Sequence, residues 1–148
     1  LIAYQIHERC DGSGYPRRRQ VATIHPLARI AAVADVFVAL ISPRAYRPAL
    51  MPYYAMEYLL RGAAQGVFDL EAVRGLLTAV SLFPLGSHVM LSDGRTGKVL
   101  RSNRAAYNRP ILSVAGSAGQ PLGSVIVDLN QPDCELHVVR AVPAPEAA

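Results

Sequence analysis

Tryptophan is absent from the 148 residues, lysine occurs once, at Lys98, and cysteine twice, at Cys10 and Cys134. Two cysteines so far apart fit no metal-ligand or redox spacing, so both are expected as unpaired thiols, which suits a reducing cytoplasm. No apolar run reaches the roughly 20 residues a membrane-spanning helix needs. Arg29, Asp35 and Arg44 interrupt the best stretch, and no transmembrane segment is expected. Leu1 opens the chain with no Met and no basic stretch ahead of an apolar one, which reads as a cut from something longer rather than as a signal peptide. A glycine-rich nucleotide loop, a zinc spacing and a Ser-His-Asp order are missing too, which removes the commonest enzyme signatures.

What is present suffices to fold. Hydrophobic residues make up 51% of the chain against 18% charged, enough apolar surface to offset the cost of ordering the backbone. The length allows one modest core, or a helical piece carrying a small second module. The net charge of +4 comes almost wholly from arginine, whose planar fork grips phosphate bidentately where lysine offers a point charge.

The hydrophobic period changes partway along. Up to Leu82 apolar residues recur at helical spacing; from Phe83 they alternate in short runs set off by Gly, Pro, Asn and Asp. Pro26 suits an opening turn, and Leu27, Ile30, Ala31, Ala34, Phe37, Val38 and Ile41 then follow the spacing of one helix face. A second helix is expected from Pro52 to Arg61, with Met56, Leu59 and Leu60 inward and Gly62 and Gly66 ending it. A third is expected to start at an Asp69 N-cap and carry Val73, Leu76, Leu77 and Val80. Beyond Phe83, Val89 and Leu91 precede a Ser92-to-Gly97 turn, after which Val99 resumes the alternation, a hairpin pattern. Further strands are expected at 111–114, 125–129 and 136–142. The fold class is therefore α+β: a helical part over residues 1–82, a small antiparallel β module over 83–142, and a disordered tail over 143–148.

The most informative stretch is Ile6-His7-Glu8-Arg9-Cys10-Asp11-Gly12-Ser13-Gly14-Tyr15-Pro16, where a helical entry bearing a histidine runs into a turn. Gly12 and Gly14 open backbone angles closed to other residues, and Tyr15-Pro16 is expected to return the chain to an extended course. On composition alone this is a surface turn. Three further segments follow in order: Ala28-Arg29-Ile30, Val33-Ala34-Asp35-Val36-Phe37, and Arg44-Ala45-Tyr46-Arg47. Asp35 has only apolar helical neighbours in Ala31, Ala32, Val38 and Ala39, and a carboxylate buried there would require a cation, a donor or a metal. An ion pair, for instance with Arg29, is the structural alternative.

Taken together these segments resemble the second half of the HD-GYP family of metal-dependent cyclic di-GMP phosphodiesterases. That family carries a His-His-Glu, an Asp-Gly-x-Gly-Tyr-Pro loop, an Ala-Arg-Ile helix, an Ala-Asp-Val-Phe segment and an Arg-Pro-Tyr-Arg motif. The resemblance covers residues 3 to 86 and implies a partial all-α HD-type helical domain. It implies that His7 and Asp35 ligate iron or manganese, that Arg44, Tyr46 and Arg47 bind substrate, and that Asp11, Gly12, Gly14, Tyr15 and Pro16 form the motif loop. No residue is assigned as a catalytic acid or base. For Arg44 and Arg47 the plain alternative is a basic pair beyond a helix end.

Departures from the family bear on activity. Ile6 stands where the first of the paired histidines belongs, no upstream His-Asp dyad is present, Val38 replaces a common acid, and Arg18-Arg19 stand where Gly-Leu is usual. Two ligands are too few for a bimetallic site. The expectation is part of a cyclic di-GMP phosphodiesterase, incomplete or inactive as an isolated chain, in a bacterial cytoplasm. The alternative is a catalytically dead module that binds cyclic di-GMP or another protein, its partners being signalling proteins or the missing N-terminal half. A third reading, nucleic-acid binding through Arg95, Lys98, Arg101, Arg104 and Arg109, ranks last because Tyr107 is the lone aromatic platform there.

Overall fold

The structure, a computed structural model, describes residues 1–103, 105–115 and 123–144. The chain divides into two compact units, Leu1–Val80 and Ser81–Ala148. The expected disordered tail lies mostly outside the described residues, as does Arg104.

The first unit is helical. It contains α1 (Ile2–Gln5), a 3-10 turn (Val21–Thr23), α2 (Pro26–Ile41), α3 (Pro52–Ala64) and α4 (Leu70–Val80). His25 caps α2, its Nδ1 accepting from the Leu27 amide at 3.2 Å, and Pro26 fills the first turn where a missing N–H costs nothing. Asp69 caps α4 as its position suggested, Oδ1 accepting from the Ala72 amide at 3.0 Å. Its other oxygen meets the Arg29 guanidinium at 2.6 Å, so one carboxylate both starts α4 and ties it to α2.

Two expectations for this unit fail. First, α3 does not stop at Gly62 but runs on to Ala64. Gly62 is there for packing: a Cβ would sit 2.5 Å from Cδ2 of Phe68, whose ring crosses the helix at this point. Gly66, at φ +79°, supplies the left-handed residue that follows the helix. Second, α2 is rolled away from the face its spacing suggested. Ala28, Ala32, Val33 and Phe37 are buried, while Leu27, Ile30 and Val38 are exposed. Only Arg29 and Asp35 break the apolar run of α2, so the spacing cannot choose a face; packing against α3 and α4 chooses it.

The second unit is one antiparallel sheet of β1 (His88–Leu91), β2 (Thr96–Arg101), β3 (Ile111–Ala115), β4 (Ser124–Asp128) and β5 (Val138–Val142), ordered β4-β3-β2-β1-β5. Each neighbouring pair is antiparallel. Its core follows from alternation along β1 to β3: Val89, Leu91, Gly97, Val99, Leu112 and Val114 are buried, while Met90, Lys98 and Ser113 between them are not. The β1–β2 hairpin turns on Gly94 at φ +84°, and Asp93 fixes the turn by accepting from the Arg95 amide at 3.0 Å and its Nε at 2.7 Å. No helix among the described residues is long and apolar enough to cross a membrane.

Candidate functional site

The loop after α1 is built around a buried charge. Glu8 is 2% exposed, and its two carboxylate oxygens each accept a backbone amide, from Arg17 and from Arg19, both at 2.8 Å. A carboxylate has only acceptors, and two N–H donors offset much of the cost of taking it out of water. One turn earlier, Gln5 is also buried, and its Oε1 accepts the His25 amide at 2.9 Å. These two polar side chains join the N-terminal turn to the loop and to the cap of α2. Sequence reasoning gave neither a role, although Glu8 belongs to the quoted His-Glu pair and Gln5 lies three residues before it, at the end of α1.

Within this frame the motif loop has defined geometry. Asp11 Oδ1 accepts from the Ser13 amide at 2.9 Å and from the Ser13 hydroxyl at 2.7 Å, and these bonds hold the Asp11 carboxyl below its ordinary pKa. Gly12 adopts φ +85°. Gly14 is required by contact rather than by angle, because a Cβ would lie 2.5 Å from Glu8 Cα and from His7 O. The Tyr15–Pro16 peptide is cis and residues 14–17 bend, so the extended course expected there is not adopted. The bend lays the Tyr15 ring on His7, with centroids 4.8 Å apart and planes at 22°. Cys10 is tied to the turn before α4 through its amide and the Val67 carbonyl at 2.9 Å. Burial, then the nearby Asp69 charge, raises the Cys10 thiol pKa, which keeps the thiol protonated and poorly nucleophilic.

Asp35 is placed otherwise than its neighbours suggested. It lies about 200° around α2 from Val33, on the outer side, where it is exposed and makes no hydrogen bond or ion pair among the described residues. Arg29, considered as its partner, is taken by Asp69. The apolar neighbourhood therefore does not enclose Asp35, and burial cannot be the argument for a metal there. His7 and Asp35 also lack companions: among the described residues no three His, Cys, Asp or Glu side chains are grouped as a metal site needs. The residues present do not fit a complete iron or manganese centre.

Arg44, Tyr46 and Arg47 share one tight turn beyond α2, closed by hydrogen bonds between residues 44 and 47 of 2.9 and 3.1 Å. Tyr46 is 86% exposed at its apex and Arg44 is exposed beside it. Arg47 is turned back: its Nη2 donates to the Ala39 carbonyl at 2.8 Å, at the end of α2. This is the helix-end role weighed as the plain alternative, and it occupies Arg47 while leaving Arg44 open. A groove of about 580 Å³ lies between α2 and α4, but Ile30, Val33, Ala34, Leu76 and Ala79 make its walls mostly apolar, which suits no phosphate. In the second unit Arg95 is engaged by Asp93, which reduces the basic stripe considered for nucleic acid.

The HD domain family pattern matches residues 1–72. A cyclic di-GMP phosphodiesterase of Pseudomonas aeruginosa is 36% identical over 97% of this chain, which spans 34% of that protein. The cyclic di-GMP phosphodiesterase response regulator RpfG of Xanthomonas campestris is 47% identical over 52% of the chain and 20% of its own length. A 3'3'-cGAMP-specific phosphodiesterase of Vibrio cholerae is 44% identical over 43% of the chain and 15% of its own length. The chain thus spans about a third or less of each of these relatives.

Proposed function

We propose, from the match of residues 1–72 to the HD domain family pattern, that this chain is the loop-bearing part of a metal-dependent cyclic di-GMP phosphodiesterase of bacterial second-messenger signalling. The observation that carries this reading is the motif loop itself: Glu8, Gly14 and Cys10 fix its backbone from three sides, which a plain surface turn does not need. In this reading the loop and the exposed Arg44–Tyr46 turn recognise the dinucleotide by charge and stacking. His7 and Asp35 would supply two donors to an iron or manganese centre, and among the described residues no third His, Cys, Asp or Glu is grouped with them, so in this reading hydrolysis depends on further ligands. The site acts in the cytoplasm, where the second messenger is made and removed.

A second reading of the ligand has its own support, since a relative named for 3'3'-cGAMP is 44% identical over part of the same region. The test is calorimetric titration of the chain with each cyclic dinucleotide, with and without manganese, repeated for Arg44→Ala. Saturable binding that survives metal removal and weakens in Arg44→Ala by about tenfold, the effect of one charge-assisted contact, is expected. Absence of binding by folded chain to either dinucleotide would refute recognition by this unit. The relative affinities decide between the two ligands.

A further inference from the structure

The strained part of the loop is not the motif but the arginine run that follows it. Arg18 has φ +53°, in the left-handed region that suits glycine and disfavours an arginine. Arg19 is half-buried, and its buried Nε has no hydrogen-bond partner among the described residues, although one terminal nitrogen reaches the Thr23 carbonyl at 3.2 Å. Arg17 is exposed, its guanidinium over the Tyr4 ring at 5.3 Å. Each feature costs stability and each also occurs alone elsewhere, at Ser81 with φ +67° and at the Arg29 Nε; here they fall on adjacent residues.

The surroundings explain how such a conformation is held. Glu8 takes the amides on both sides of Arg18, and the Arg18 carbonyl lies against Gly12, where a Cβ would be 3.4 Å away. The backbone is therefore fixed whatever side chains it carries. Nearby carboxylates are occupied, Glu8 by amides and Asp11 by Ser13, and no acid pairs with Arg17, Arg18 or Arg19 among the described residues. Three guanidinium groups thus stand on one rigid loop with their charge uncompensated.

We propose that Arg17, Arg18 and Arg19 form an anion-binding loop that takes a phosphodiester. Guanidinium suits this task because it stays charged and meets two phosphate oxygens at once. The backbone strain at Arg18 is retained because it directs a guanidinium outward. That the phosphodiester is a cyclic dinucleotide's rests on the function proposed above; the site itself does not.

The test sets stability against binding in the intact chain. Melting temperature and affinity are measured for Arg18→Gly, Arg18→Asn and Arg18→Lys, with cyclic di-GMP and, as a simple anion, inorganic pyrophosphate at low salt. Arg18→Gly and Arg18→Asn relieve the backbone, so both are expected to melt higher and to bind either probe about tenfold more weakly. Arg18→Lys, which keeps charge and strain, should retain much of the affinity. Higher melting with unchanged affinity in Arg18→Gly would overturn the proposal. Cyclic di-GMP binding lost in Arg44→Ala but kept in both uncharged Arg18 variants would overturn it while leaving the proposed function standing. Pyrophosphate binding that depends on Arg18, with no dinucleotide binding, would support the loop and refute the ligand.

Discussion

Leucines show how differently the two units treat apolar surface. On strands β1 to β3 the leucines divide by face, Leu91 and Leu112 at most 1% exposed and Leu100, on the other face of β2, 40%; in the helical unit Leu59 is 0% exposed but Leu27 53%. A strand offers two faces in strict alternation, so Val89, Leu91 and Val99 have one way to go in. A helix offers a continuous circumference. Where α2 is apolar on nearly all of it, any roll buries apolar atoms and leaves others outside. The difference teaches that apolar content and burial are separate properties, linked only where the period leaves no choice.

The contrast can be broken most directly with one substitution at two leucines of the helical unit. Leu59→Ala is expected to cost about 2–5 kcal/mol, as for a leucine removed from a packed core. Leu27→Ala should stay within about 0.5 kcal/mol. Urea unfolding followed by far-ultraviolet circular dichroism measures both. Equal losses would mean that α2 is rolled the other way, with Leu27 inside.

Glycines sharpen the same comparison with a smaller effect. Gly62→Ala forces a methyl into the Phe68 ring and should lose about 1–3 kcal/mol, although alanine is the better helix former. Gly75→Ala on α4, where nothing lies within 4 Å of the added Cβ, should gain about 0.5–1 kcal/mol. A gain at both positions would show that the Phe68 ring moves aside without cost.

The smallest effects concern one turn aspartate in each unit. Asp11 is held below the ordinary aspartate pKa by hydrogen bonds from Ser13, and Asp93 by the side-chain bond from Arg95 and then by the Arg95 amide. A folded pKa below the unfolded one means that each turn is favoured above the unfolded value, near 3.9, and loses that support as pH falls through its own lowered value. Carbon-detected titration should show both carboxyls below model aspartate. Added salt should raise the Asp93 midpoint more than that of Asp11, because a charged partner is screened and a hydroxyl is not. Identical salt responses would place the Arg95 charge outside the account.

Much of the architecture was legible because its causes are local. The Asp69 cap, the opening turn at Pro26, the turn at Gly94 and the strand alternation each depend on residues within a few positions. What escaped depended on distant neighbours. Gly62 read as a helix end because its reason is a ring six residues later. Asp35 read as enclosed because the sequence gives its neighbours along the helix but not the roll of that helix. In the candidate site the residue types of the loop were visible, while Glu8 and Gln5 were passed over, since their partners are main-chain amides and leave no mark in the side-chain sequence.

Arg47 couples two equilibria. Its guanidinium bonds the Ala39 carbonyl at the end of α2, so any anion that draws it away must release that carbonyl as well. The apparent affinity of such an anion then contains the work of fraying the last turn of α2. By thermodynamic reciprocity the coupling runs both ways: an anion held by Arg47 loosens the helix end, and a change that loosens the helix end favours the anion. An anion held by Arg44 alone escapes this linkage, so two arginines three residues apart would report different things about the same ligand.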